Sequence, residues 1–408
     1  MLTPYRALLA TPGALRFTAF GYLARLGGAM FGVSIIVMIA TRRGSYSLAG
    51  IISSIGLVGV ASLGPTVGRL IDRHGQRRVA VPLALMSAAA LLSLVLATYL
   101  GAPVWVLVLA NLGNAIMPQA GTLIRARWAH LLRGEAGMLH TANSFEQVLD
   151  ESCFMMGPAL GAALATLFFP EAGMLLALLL YTTGVIGLAL QRRTEPPVQP
   201  QHEHHTGRAW QAPGLLLLAA TLALTGTIFG AADVIVVAFA AEHQAAAWGG
   251  ATLGCFALGS LVGGLVYGTR PAADAIAQRL LWSTLAMSVL LLPVLVVDQL
   301  PVLAAVLLVA GSAIAPTLIT AMMLAQRLVP ESQINEGMTI VMTGLLIGIA
   351  LGSSAAGGMI DAYGASRAFL VPVLAAFLAF ALALLGRSTL VSAERRAMDL
   401  FGSFATKP

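Results

Sequence analysis

The chain reads as a succession of long apolar runs cut by short polar interruptions. A bilayer span needs about 20 mostly apolar residues. That ruler places helices near 15–40, 46–68, 79–100, 103–124, 141–168 and 172–191. A polar stretch from Arg192 to Gln211 follows, and six further runs lie near 213–240, 246–268, 280–298, 302–326, 337–360 and 365–386. The pattern predicts an all-α membrane protein of twelve transmembrane helices in two six-helix bundles. They occupy residues 1–191 and 213–386, with a linker at 192–212 and a cytoplasmic tail at 387–408 that carries no chemistry of its own.

Composition agrees with the pattern. Of 408 residues, 58% are hydrophobic and 10% charged, against roughly 25% charged in soluble domains. A soluble fold could not hide that much apolar surface. The net charge of +6 suggests nucleic acid until the positions are read. All positive residues but Lys407 are arginines, set in short clusters between apolar runs. Arg42, Arg43 and Arg367 fall on one side, Arg25 falls inside the first span, and the rest fall on the other side. That is the positive-inside distribution, not a nucleic-acid footprint. It predicts a multi-pass inner-membrane protein with both termini and the linker cytoplasmic, the lipid bilayer as its medium and no nucleic acid as partner. Cys153 and Cys255 sit far apart in apolar runs and imply neither a disulfide framework nor a metal site. The first apolar run is long, contains Arg25 and lacks the marks of a cleavable signal.

The two halves echo one another. Gly28-Ala29-Met30-Phe31-Gly32 precedes Ile35-Ile36-Val37 in the first span, and Gly226-Thr227-Ile228-Phe229-Gly230 precedes Val234-Ile235-Val236 in the seventh. Parallel six-helix repeats are one of the plans secondary transporters use.

The most informative loop follows the second span: Gly68-Arg69-Leu70-Ile71-Asp72-Arg73-His74-Gly75-Gln76-Arg77-Arg78. Gly68 lets helices approach, Gly75 permits a tight turn, and the arginines hold the loop at one face. The loop closely resembles the Gly-x-x-x-Asp-Arg-x-Gly-x-Arg-Arg signature of the major facilitator superfamily. The resemblance implies the two-bundle fold of that family, alternating access, and a conformational switch built on Gly68, Asp72, Arg73, Gly75, Arg77 and Arg78. In the family the Asp docks on the eleventh helix, which begins here near Asn335–Met338. The second-half copy, around Gly264–Arg279, is degenerate, with Gly268 in the Asp position.

In the fifth span, Gly157-Pro158-Ala159-Leu160-Gly161 resembles the Gly-Pro-x-x-Gly-Gly run of proton antiporters, with Ala162 in place of the last glycine. The likeness points towards the drug or metabolite:proton exporters. Another antiporter feature is missing: the fourth span reads Leu109-Ala110-Asn111-Leu112-Gly113 where those proteins carry an Arg, and Arg125 and Arg127 come at its end. Small residues spaced by four also mark the second (Gly64, Gly68), fifth (Gly157, Gly161), eighth (Gly259, Gly263) and eleventh (Gly344, Gly348, Gly352) spans. The resemblance implies that these helices meet across the halves, while close packing alone explains the spacing equally.

Ionisable residues inside spans mark function. They are Arg25, Glu146, Asp150, Glu151 and Asp233. Arg25 lies roughly 13 Å into its helix at 1.5 Å per residue, as deep as Asp150 and Glu151. A pair of Arg25 with one of these two acids is therefore expected, in a coupling role or as a structural ion pair. Glu146, one turn away, marks a proton route or sits near the headgroups, and Asp233 lies towards the outer end of its helix. Tyr22, Phe31 and Phe145 are aromatic neighbours that line a cavity or simply pack. The cluster His202-Glu203-His204-His205 reads as a solvated linker. No Walker loop, metal pair or nucleophile elbow is present, so no enzyme activity, cofactor or metal is expected. The reading is a monomeric, proton-coupled exporter of a small molecule, with a nutrient symporter or a non-transporting sensor as alternatives.

Overall fold

The computed structural model describes residues 3–198, 208–245, 248–269 and 275–402, so the His202–His205 cluster lies outside the described residues. Among the described residues, twelve helices are long and apolar enough to cross a membrane: α1 (Ala14–Arg43), α2 (Leu48–His74), α3 (Gln76–Tyr99), α4 (Val104–Leu131), α5 (Ala136–Leu167) and α6 (Ala172–Ala189), then α7 (Leu215–Glu242), α8 (Gly249–Gly268), α9 (Ile276–Val296), α10 (Leu300–Leu328), α11 (Glu331–Tyr363) and α12 (Ala365–Leu385). A further helix, α13 (Arg387–Gly402), follows. Helices are the form such runs take because lipid offers the backbone no hydrogen-bond partner.

The repeat is visible in the backbone. Gly13 (φ 86°) precedes α1 and Gly214 (φ 87°) precedes α7 in the same left-handed conformation. Both fourth helices are interrupted. The first is built from Val104–Asn111, a 3₁₀ turn at Leu112–Ile116 and Ala120–Leu131, and the tenth from Leu300–Gly311 and Ile314–Leu328.

Two compact units are present, one of residues 3–133 with 149–198 and one of residues 134–148 with 208–402, counting described residues. A boundary at residue 191 assigns all of α5 to the first half, yet its opening turns group with the second-half helices. Those turns are polar. His140 lies 3.0 Å through Nε2 from the Tyr267 carbonyl and 3.3 Å through Nδ1 from Met323 Sδ. Asn143 Nδ2 donates to Gln326 Oε1 at 3.1 Å.

The glycine stripes pack within their own units. A Cβ on Gly344, Gly348 or Gly352 of α11 would strike the carbonyls of Ala219, Ala223 and Thr227 on α7. On Gly259 and Gly263 of α8 it would strike those of Leu308 and Ser312 on α10. Gly157 and Gly161 of α5 press on Ala29, Met30 and Ser34 of α1. These seven glycines thus permit close helix packing inside their own units. Spacing fixes which residues share a helix face but not which neighbour that face meets.

The C-terminal segment is also more than a plain tail. Leu390, Ala393 and Glu394 of α13 are buried while Arg387, Arg395 and Arg396 are exposed. Glu394 accepts the backbone N–H of Ile276 at 2.9 Å and of Ala277 at 3.1 Å, and pairs with Arg327 at 3.1 Å. A carboxylate at the start of α9 satisfies donors that the helix cannot. The segment is thus docked through Glu394: a charge hidden in a short polar sequence shows itself only when the helix docks.

Candidate functional site

Three helices of the first unit bring three buried charges together. Arg25 of α1 donates from Nε to the Gly21 carbonyl at 3.3 Å and from a terminal nitrogen to Asp150 Oδ1 of α5 at 3.0 Å. Arg125 of α4 donates to the other oxygen, Asp150 Oδ2, at 2.7 Å. The Arg25 and Arg125 side chains are 6% and 4% exposed and that of Asp150 16%. One carboxylate thus holds two guanidiniums, each through its own oxygen. Bonds of this kind are the strong ones because both partners carry charge and little water competes. Gly121, one turn before Arg125, lies beside all three side chains, and a Cβ there would come 3.1 Å from an Arg125 nitrogen.

Of the two acids expected to pair with Arg25, Asp150 does so. Glu151 (5% exposed) and Glu146 (0%) are buried on the same helix, each in contact with neighbours. Asp233 stands apart: it is exposed on α7. Tyr22 accepts from Ser152 at 3.3 Å near the triad, whereas Phe31 packs edge-on against Tyr181.

Arg125 was not among the expected site residues. A simple apolar run ends α4 near residue 124, whereas the helix resumes after its break and carries Arg125 and Arg127 inside the span. The signal that reveals this is the apolar flank Trp128-Ala129 beyond the arginines, which keeps the segment helical and buried. Arg127, fully buried, donates to Gln76 Oε1 at 2.8 Å, the Gln191 carbonyl at 2.9 Å and Thr194 Oγ1 at 2.6 Å.

This network reaches the loop between α2 and α3. Gly75 makes a one-residue turn at φ 90°, and its N–H caps Ile71 of α2. The next residues are held from below: Gln76 donates to the Leu123 carbonyl at 2.9 Å, and the Arg77 N–H donates to Glu195 at 2.8 Å. Gly68 is buried, Asp72 half-buried, and Arg73, Arg77 and Arg78 exposed. At the opposite end, Arg42 grips Glu171 with two bonds, of 2.6 and 3.1 Å, and lies over the Tyr99 ring. Arg43 bonds the carbonyl of Ala97 in the last turn of α3 and that of Ala102 just beyond it. Arg42 and Arg43, two of the three arginines of the sparsely charged side, are thus fixed in structural contacts.

Residues 18–283 match the sequence profile of the Major Facilitator Superfamily. The chain belongs to that superfamily. Among curated proteins it is 26% identical over 272 residues to the uncharacterized MFS-type transporter y4rN of Sinorhizobium fredii, a match covering 64% of this chain and 66% of that one, just under two thirds. Among solved structures it is similar to a bacterial homologue of the iron transporter ferroportin in its outward-facing state, with TM-score 0.73 and 17% identity over 92% of this chain and 99% of that one. It is also similar to the Escherichia coli fucose:proton symporter, with TM-score 0.69 and 14% identity over 91% and 98%. At these identities the structural likeness speaks for the fold. The chain is therefore a multi-pass member of that superfamily.

Proposed function

We propose that the transporter is a proton-coupled exporter of a small molecule in the cytoplasmic membrane, with Asp150 as the coupling carboxylate and its termini on the cytoplasmic side. The observation that carries this reading is the sharing of Asp150 between Arg25 and Arg125. An ionised Asp150 neutralises two buried cations. A proton on Asp150 removes the counter-charge from both at once, and uncompensated buried charge is costly. Protonation therefore favours a rearrangement of α1, α4 and α5 in which the arginines find other partners or water. A carrier needs this, because a proton gradient does work only where two conformations differ in proton affinity. Export, not uptake, is supported by the Gly157-Pro158-Gly161 run, which seats α5 against α1 a few turns from the triad.

Thermal-shift screening at two pH values supplies a substrate, and proteoliposome flux then tests the mechanism. D150N is expected to lose uphill, gradient-driven flux while keeping substrate counterflow. Undiminished driven flux in D150N, E151Q and the double variant would remove the coupling role. Driven flux in the opposite sense, inward with the proton, would make the protein a symporter.

A further inference from the structure

One stretch that stands out in the sequence has no part in the proposed coupling step: the degenerate second-half copy of the signature loop, Gly264–Arg279, with Gly268 in the Asp position. The opening turns of α5 dock on this end of α8. Thr141 donates from Oγ1 to the Gly268 carbonyl at 3.3 Å, and His140 donates from Nε2 to the Tyr267 carbonyl at 3.0 Å. A carbonyl only accepts, so Nε2 carries the N–H. In the neutral ring Nδ1 is then bare, and it stands 3.3 Å from Met323 Sδ of α10. The neutral imidazole fits this seat.

A second proton does not. It would go to Nδ1, where the thioether is only a weak acceptor. The residue is 1% exposed, so a charge there is buried without a strong partner. The His140 ring packs edge-on against Tyr267, with centroids 5.0 Å apart, and Arg279 of α9 lies over the same Tyr267 ring at 5.7 Å. The last carbonyls of α8 attract positive charge, but that guanidinium already supplies one and repels another. The other charged group towards this end of the packed helices is Arg327 of α10, which is paired with Glu394. On the side of α5, Glu135 is exposed just ahead of the helix and Glu146 is buried with partners of its own. Among the described residues His140 makes no ion pair.

We propose that His140 is a proton-operated latch: its neutral ring holds the opening turns of α5 on α8 and α10, and a second proton releases them. Imidazole is the side chain whose charge ordinarily changes between about pH 5 and 8. A freed ring meets water and accepts the proton more readily than the docked one, so protons favour the released form. Acid therefore weakens the docking and alkali restores it. The inference rests on the transport reading, to which it adds a second point of proton action on the helix that carries Asp150.

The test is the distance between spin labels on G137C, where a side chain has open space, and T269C, exposed at the end of α8. It is measured on full-length protein in nanodiscs, with C153A and C255A removing the native thiols. A short distance is expected to dominate at about pH 8, and a longer one to grow by about 3-fold or more at about pH 5.5. H140Q keeps a donor for the Tyr267 carbonyl but takes no proton, and should hold the short distance at both. No change with pH in the wild type, or the same change in H140Q, would overturn the proposal. Should H140Q fail to assemble, R279Q decides it. Removing the opposing charge should shrink the acid-released population, and an unchanged population would count against the latch. The response should persist in D150N, and its loss there would assign it to the triad instead. A failed coupling role for Asp150 would show in driven flux and leave this assay untouched.

Discussion

The two halves of the transporter have kept some devices in common and let others diverge. Both place a carboxylate after the sixth helix of the repeat at the start of the third: Glu195 receives the N–H of Arg77, and Glu394 receives those of Ile276 and Ala277. Both carry an arginine near the end of the fourth helix, Arg127 and Arg327, and both break that helix in mid-span. The buried triad exists in one half only. In the register that aligns Gly28–Gly32 with Gly226–Gly230, Ala223, Met323 and Gly348 stand in place of Arg25, Arg125 and Asp150. A six-helix bundle of this family therefore assembles without the triad, whereas it retains the caps. What both copies keep serves the fold, and what one copy alone carries is free to serve transport.

The most direct way to break this comparison is to make the first half, like the second, uncharged at these three positions with apolar side chains that fill the space. The variant R25L/R125L/D150I should assemble, since replacing buried ion clusters by apolar side chains is often neutral or stabilising. Its driven flux should fall by about 100-fold, or roughly 2.7 kcal/mol; retained flux would make the triad structural. Next come the caps. E394A leaves Arg327 and two helix donors without their buried partner and should cost about 3 kcal/mol in detergent unfolding, while E195A, at a half-exposed site, should cost about 1 kcal/mol. The aligned glycines give a third contrast. G230A drives a methyl group onto the Ile349 carbonyl and should cost about 2 kcal/mol, whereas the equivalent G32A meets open space and should change the melting temperature little. G75A, which forces a side chain into positive φ, should cost about 1 kcal/mol. If G32A proves as costly as G230A, the two helices are packed alike and the comparison fails there.

Much of the fold was legible in the order of residues. Twelve apolar runs gave twelve spans, with ends displaced by a few residues, because bilayer thickness and backbone hydrogen bonding leave little choice of form. The pairing of Arg25 with an acid of α5 was legible from depth alone. Arg125 was not, because an interrupted helix defeats a ruler that assumes continuity: residues after the break at Met117–Gln119 stay in the membrane although the apolar run has ended. The role of Glu394 was hidden for a related reason. Nothing in Ser392-Ala393-Glu394-Arg395 separates a solvated acid from one docked under the start of another helix.

By itself, then, the sequence determined the number of spans, the doubling of the chain, and the family through the Gly68–Arg78 loop. These depend on local composition and spacing, which act along one chain segment at a time. Tertiary structure alone decided that Asp150 joins Arg25, that Arg125 completes the cluster, and that the glycine stripes of α5, α8 and α11 face partners within their own units. Those outcomes depend on how helices are rotated about their axes and which neighbours they meet. Rotation is set by the packing of many side chains together, and no single segment encodes it.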